Sequence, residues 1–290
     1  MHYGFSFSRR YCSWLGLNWR ETLTNVAKTI PSFKKVRISA YWDELEPKEG
    51  RFDFSPLQEE LDLCAELGLE VLLTIGMKAQ RWPEYYLPNF ISAASLQERT
   101  LQFLDEISEK FKDEEVIFAW QVENEPLDKS GPHNKQISIQ FLQQEINLVR
   151  KVSAKPIYIN LWGNAMFLRG HFQDALKLEN INAIGIDLYP KTPLKGSLYA
   201  GPLASHGSFE LFYHKVVNSG RKAIISELQA EPWENFDFRH NHNKVKSISV
   251  AKIQENLTKY HHNLLSETYL WGVEYWVWAG ILPEVAKLLE

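Results

Sequence analysis

The feature that most constrains this chain is a repeated alternation of two patterns. Short runs rich in β-branched and aromatic residues, at 3–7, 35–39, 70–75, 116–122, 156–161, 183–188, 222–226 and 270–277, read as strands. Longer amphipathic segments around 19–28, 55–67, 95–111, 135–152, 172–178, 208–218 and 247–266 read as helices, and a last one at 283–289 closes the chain. Ser55-Pro56 is a helix start, with Ser as N-cap and Pro in the first turn, and Gly68 is its stop. Strict strand–helix alternation makes the strands parallel, with right-handed crossovers. Eight such units in 290 residues predict one α/β domain over 1–290, a (β/α)8 TIM barrel, a fold that typically takes about 250 residues. No glycine-rich fingerprint follows the first strand, which counts against a dinucleotide-binding sheet.

Such a barrel carries its active site at the C-terminal ends of its strands. The long irregular stretches 76–94, 189–207 and 228–246 all follow strands and fall on that face. Two strand ends deliver a glutamate there. The fourth runs out as Trp120-Gln121-Val122-Glu123-Asn124-Glu125-Pro126, the seventh as Ile224-Ile225-Ser226-Glu227-Leu228. A single glutamate after a strand commonly caps the next helix. Two of them on separated parts of a barrel wall suit glycoside hydrolysis with retention, which needs two carboxyl groups about 5–5.5 Å apart. The ten tryptophans add indole faces able to stack on the apolar faces of sugar rings, beside their ordinary use in packing.

The same segments carry a resemblance. Asn124-Glu125-Pro126 resembles the acid/base motif of clan A retaining glycoside hydrolases. Trp42-Asp43-Glu44-Leu45-Glu46-Pro47-Lys48-Glu49-Gly50-Arg51-Phe52-Asp53-Phe54 is similar to the segment after the second strand in several clan A families, notably glycoside hydrolase family 42. Trp120-Gln121, Ile186-Asp187-Leu188-Tyr189-Pro190 and Glu227-Leu228-Gln229 fit that pattern too. The resemblance implies a β-glycosidase working by double displacement through a covalent glycosyl-enzyme. It implies Glu125 as general acid/base and Glu227 as nucleophile. It also implies Asn124 as donor to the substrate 2-hydroxyl, Arg37 as the arginine that keeps the nucleophile ionised, and Tyr189 as its hydrogen-bond donor. Trp276 resembles the eighth-strand tryptophan beneath the reacting sugar. Trp278, Trp42 and Trp233 are further substrate-binding candidates.

Rivals exist within each motif. Glu123 shares strand parity with Glu125, but Asn-Glu-Pro puts Glu125 nearer the mouth. Glu231 also follows the seventh strand, four residues beyond Glu227, where it can contact a sugar hydroxyl. His240-Asn241-His242 and the adjacent His261 and His262 invite a metal reading, yet the first lies in a loop and the second pair points apart on a helix, so no metal and no cofactor is expected. His133 and His206 lie in loops on the active face. A net charge of −4 offers no basic face for nucleic acid or a membrane surface. No apolar run reaches about 18 residues, and the first ten residues lack the basic-then-apolar pattern of a secretory signal, so the expectation is a cytoplasmic protein. Cys12 and Cys64 make no disulfide framework. An oligosaccharide or glycoside is the expected partner. Transglycosylation on the same site and a non-catalytic carbohydrate-binding barrel stand as alternatives.

Overall fold

The computed structural model describes residues 2–132, 134–164, 170–194, 198–202 and 206–290. Eight parallel strands close into a barrel: β1 (His2–Ser6), β2 (Lys35–Ser39), β3 (Glu70–Ile75), β4 (Ile117–Val122), β5 (Ile157–Trp162), β6 (Ala183–Leu188), β7 (Lys222–Gln229) and β8 (Leu265–Trp271). Each pairs with its neighbour in sequence, and β8 returns to β1 through the register His2 to Glu267 and Ser6 to Trp271. The expected (β/α)8 TIM barrel is the observed fold.

The strands are buried on both faces, which is why they read as near-continuous apolar runs. Outward residues such as Val36, Ile38, Val71, Leu73, Trp120 and Ile225 join the main core against the surrounding helices. Alternate residues form a separate cluster inside the barrel: Leu72, Ala119, Tyr158, Ala183, Ile224 and Tyr269. Two residues further along β4 and β5, and four further along β6, period two puts Gln121, Asn160 and Asp187 on the same inner face, nearer the mouth. An apolar plug thus supports a polar layer, and the active-site face is built on that layer.

Several boundaries differ from the sequence reading. The helix at Ser55–Glu66 starts one residue early, and Asp53 accepts from the Ser55 amide at 3.0 Å and its hydroxyl at 2.6 Å. The helix expected from 135 begins at Ile139, where the Ser138 hydroxyl caps the Phe141 amide at 3.2 Å. The largest shift lies at the end of the chain. The long helix ends at Lys259, β8 starts at Leu265, and Gly272 at φ 120° separates β8 from a helix over Val273–Trp278. An apolar aromatic run does not by itself distinguish a buried strand from a buried helix. A short helix at Arg9–Leu15, capped by Ser8 and Gly16, follows β1 and was not expected. Cys12 and Cys64 are buried free thiols. Among the described residues, no helix is long and apolar enough to cross a membrane.

Candidate active site

The C-terminal mouth opens into a cleft of about 610 Å³, within the usual range of about 300–1,000 Å³ for ligand sites. Beneath it lies Arg37 of β2, fully buried. Its guanidinium donates to Gln121 Oε1 at 2.7 Å, to Asn124 Oδ1 at 2.6 Å and to Glu227 Oε1 at 2.6 Å. The planar fork therefore ties the ends of β4 and β7 together. Gln121 donates to Asn160 Oδ1 at 3.0 Å, and Asn160 donates to Asp187 Oδ2 at 2.5 Å. The other oxygen of Asp187 accepts from Ser226.

Glu227 reaches the interior through an irregularity in β7. Ile186 pairs with Ile225, but Asp187 pairs with Glu227, so one extra residue is accommodated at Ser226. Such a bulge re-aims side chains. Ser226 meets Asp187 while Glu227, the very next residue, meets Arg37 through one oxygen and the Tyr189 hydroxyl through the other. Burial and the charge of Glu227 push the Tyr189 hydroxyl well above its ordinary range, so it keeps its proton and donates.

Glu125 lines the same cleft with a backbone φ of 43°, a left-handed geometry that non-glycine residues seldom adopt. That backbone is held from three sides. The Glu125 amide donates to Asn160 Oδ1 at 2.8 Å, while its carbonyl accepts from Lys78 Nζ at 2.8 Å and from the Asp128 amide at 3.1 Å. Burial pushes the Glu125 carboxyl well above the usual carboxylate range, and the charges of Asp187, Glu227, Glu84 and Asp128 add to the effect. Asp187 is raised in the same way, by burial and by Glu227. Buried carboxyl groups set close to one another favour retention of a proton. The Asn124 amide oxygen is spent on Arg37 and Asn160, which leaves its NH2 group as a donor for a ligand.

Glu123 does not share the cleft. Both of its oxygens accept backbone amides of the loop after β3, Met77 at 2.8 Å and Lys78 at 2.6 Å. Gly76 leaves room for it, since a Cβ there would stand 2.2 Å from Glu123 Oε1. Glu231 lines the cleft but is tied down by Arg81 and by the Trp271 indole N–H at 2.8 Å. Arg81 also donates to Glu274 at 3.1 Å and lies over the rings of Tyr11 and Trp271.

Here two buried carboxylates share one guanidinium, and elsewhere buried Glu60 shares Arg9 with the half-buried Glu44. Burial therefore raises Glu274 from 4.5 to about 7, and Glu60 likewise to about 7. The folded state binds these protons more tightly than the unfolded chain, so stability is highest on the acid side and falls as pH rises from about 4.5 to about 7. The midpoint of thermal unfolding is expected to be lower at pH 8 than at pH 5; calorimetry finding the opposite order would contradict this account of the two clusters.

The structure thus gathers Glu125, Glu227, Asn124, Tyr189 and Trp233 around one cleft, with Arg37 beneath them. It does not bring Trp42, Trp276 or Trp278 there. Trp42 is buried against Phe103 at 5.1 Å, on the outer side of the barrel, with its N–H on Glu46. Trp276 follows Gly272 on a helix, fully buried, and donates to the Ala230 carbonyl at 2.7 Å. Trp278 packs at that helix's outer end against Phe238 and His242. Trp271, the last residue of β8, lines the cleft in place of Trp276. Sequence reasoning also missed Asn160, Trp162 and any role for Asp187. The period-two parity of β5 and β6 marks them once the strand register is known. His242 bonds Tyr275 at 2.9 Å, and among the described residues no cluster of three or more His, Cys, Asp or Glu is arranged for a metal ion. His133 and the side chain of His206 lie outside what is described.

The comparisons with known proteins agree with this fold. The family model of glycoside hydrolase family 42, described as beta-galactosidase, matches residues 12–90. The fold is similar to native xylanase 10B from Thermotoga maritima, with TM-score 0.63 and 16% identity over 93% of this chain and 82% of that one. It is also similar to the intracellular xylanase TsXylA from Thermoanaerobacterium saccharolyticum, solved with xylotriose, with TM-score 0.61 and 15% identity over 94% and 86% of the two chains. Xylanase 10B from Thermotoga petrophila, solved with xylobiose, gives TM-score 0.61 and 15% identity over 93% and 81%. No curated protein matches the chain. The class is therefore a glycosidase on a (β/α)8 barrel, with the resemblance to clan A glycoside hydrolases borne out. The matched segment carries that resemblance over β2 and β3 and stops short of the strand ends that hold Glu125 and Glu227.

Proposed function

We propose that the chain is a retaining β-glycoside hydrolase in which Glu227 is the nucleophile and Glu125 the acid/base. The observation that carries this reading is the unlike treatment of two carboxyl groups in one cleft. Glu227 is anchored through both oxygens by a guanidinium and a phenol. Among the described residues no guanidinium holds the Glu125 carboxyl, which burial and neighbouring negative charge push well above the usual carboxylate range. A carboxyl that burial keeps protonated can donate to a leaving group, while one held by a guanidinium and a phenol is positioned to attack.

In the first step Glu227 attacks the anomeric carbon while Glu125 protonates the departing oxygen. The glycosidic bond breaks, a glycosyl ester forms on Glu227, and the aglycone leaves with the proton of Glu125. Esterification removes the charge of Glu227, so Glu125, now ionised, becomes a base. It takes a proton from water, which displaces Glu227 from the opposite face and restores the original anomeric configuration. Asn124 donates to the sugar 2-hydroxyl, a bond that strengthens in the transition state. Tyr189 and Arg37 hold Glu227 in line.

The test is a panel of 4-nitrophenyl β-glycosides (galactoside, glucoside, mannoside, xyloside and fucoside), followed by proton NMR of the first-formed sugar. The β-anomer is expected before mutarotation. First appearance of the α-anomer would mean inversion and would overturn the assignment of Glu227 as nucleophile.

A further inference from the structure

The largest exposed apolar side chain at the cleft is Trp82, with 70% of its surface open. It stands on a loop that is otherwise strongly braced. Its neighbours Arg81 and Glu84 both have positive φ, at 77° and 67°. Arg81 is clamped by Glu231 and Glu274 and sandwiched between Tyr11 and Trp271. The Trp82 carbonyl accepts from the Tyr86 hydroxyl at 3.1 Å, and Glu84 accepts from Ser130. A loop held in sparsely populated geometry while it presents a bare indole is an arrangement found at ligand clamps.

Other indoles at the rim are differently employed. Trp14 stacks on Tyr11 at 5.3 Å and has Arg239 over its ring at 3.8 Å. Trp233 is 40% exposed and meets Trp162 and Tyr189 edge to face. Trp82 follows β3 and Trp233 follows β7. These strands lie opposite each other in the closed barrel, with three strands between them on either side. The acid/base and nucleophile candidates thus stand between two indoles on opposite rims. The Trp82 loop is also joined to the Glu125 segment: the Asn124 amide donates to the Lys78 carbonyl at 3.0 Å, and Lys78 Nζ to the Glu125 carbonyl at 2.8 Å. The side of the cleft next to the acid is the side on which the leaving group departs.

We infer that Trp82 is the stacking platform of an aglycone subsite, so that the substrate is a β-linked oligosaccharide with a sugar ring on each side of the scissile bond. The inference rests on the proposed hydrolase reading. A bound sugar lays its apolar face on the indole, and the same platform receives an acceptor sugar if transfer competes with hydrolysis.

The experiment compares three probes for wild type, Trp82→Ala and Trp82→Phe: a β-glycosyl fluoride, which has no aglycone ring, and β-1,4-linked xylobiose and galactobiose. For the faster disaccharide, the ratio of its kcat/KM to that of the fluoride is expected to fall roughly 10- to 100-fold in Trp82→Ala. Trp82→Phe, which keeps a ring, is expected to recover part of it. The yield of transfer product with added disaccharide is expected to fall in parallel. An unchanged ratio, or equal losses on fluoride and disaccharide, would overturn the subsite. A wild type that turns over the fluoride but neither disaccharide would overturn it too, while leaving the hydrolase reading intact. A wild type inactive on all three would remove the hydrolase reading itself and the inference with it.

Discussion

Glu227→Ala is expected to lower turnover of 4-nitrophenyl β-glycosides by roughly four to six orders of magnitude, as removal of an enzyme nucleophile generally does. The substitution leaves Arg37 and Tyr189 facing a small void on the side where the carboxylate stood. An added azide ion fits that void and attacks the anomeric carbon from the face Glu227 would have used. With a good leaving group, turnover should return and the product should be the α-glycosyl azide, inverted relative to substrate. Activity within tenfold of wild type, or a β-azide, would show that the nucleophile lies elsewhere.

Glu125→Ala should behave differently, because its loss is felt in proportion to how much help the leaving group needs. General acid–base catalysis is worth about 10²- to 10⁴-fold. A 2,4-dinitrophenyl glycoside departs without a proton and should form the glycosyl-enzyme at close to the normal rate. An unactivated disaccharide should lose most of that factor. The water step slows for both, so kcat and KM should fall together on the activated substrate. Azide then captures the intermediate from the Glu125 side and gives the β-glycosyl azide, opposite in configuration to the product of Glu227→Ala. Because burial and surrounding carboxylates raise the Glu125 carboxyl, the wild-type kcat/KM should hold past the ordinary carboxylate range and decline only as Glu125 loses its proton. That basic limb should vanish in the variant. Equal losses on activated and unactivated substrates would contradict the acid role.

Much of this architecture was legible in the sequence because barrel strands carry their information locally. The runs at Lys35–Ser39, Glu70–Ile75 and Ala183–Leu188 matched their strands end to end. Once eight parallel strands are in place, a residue at a strand's C-terminal end is a residue at the mouth, so Glu125, Glu227 and Tyr189 needed no further geometry to be grouped. What was not legible depended on one-residue effects. The irregularity at Ser226 that turns Glu227 inward leaves no mark in composition. The aromatic run through Trp278 is broken only by Gly272 and Glu274, and the positive φ of Gly272 shows that the strand stops at Trp271. Trp276 was read as a continuation of β8 for that reason. Trp42 belongs to a turn that leaves the barrel wall outward, which a linear motif does not show. Asp187 and Asn160 matter through bonds to other strands, and period two makes such residues findable only after the strand register is known.

The most direct measurement is covalent trapping. A 2,4-dinitrophenyl 2-deoxy-2-fluoro-β-glycoside of whichever sugar is turned over fastest should form the glycosyl-enzyme quickly and release it slowly. Mass spectrometry should then find one fluoroglycosyl group per chain, on the peptide that contains Glu227, and none on Glu227→Ala. Steady turnover of the parent glycoside with no trapped adduct, or an adduct on any residue other than Glu227, would contradict the account.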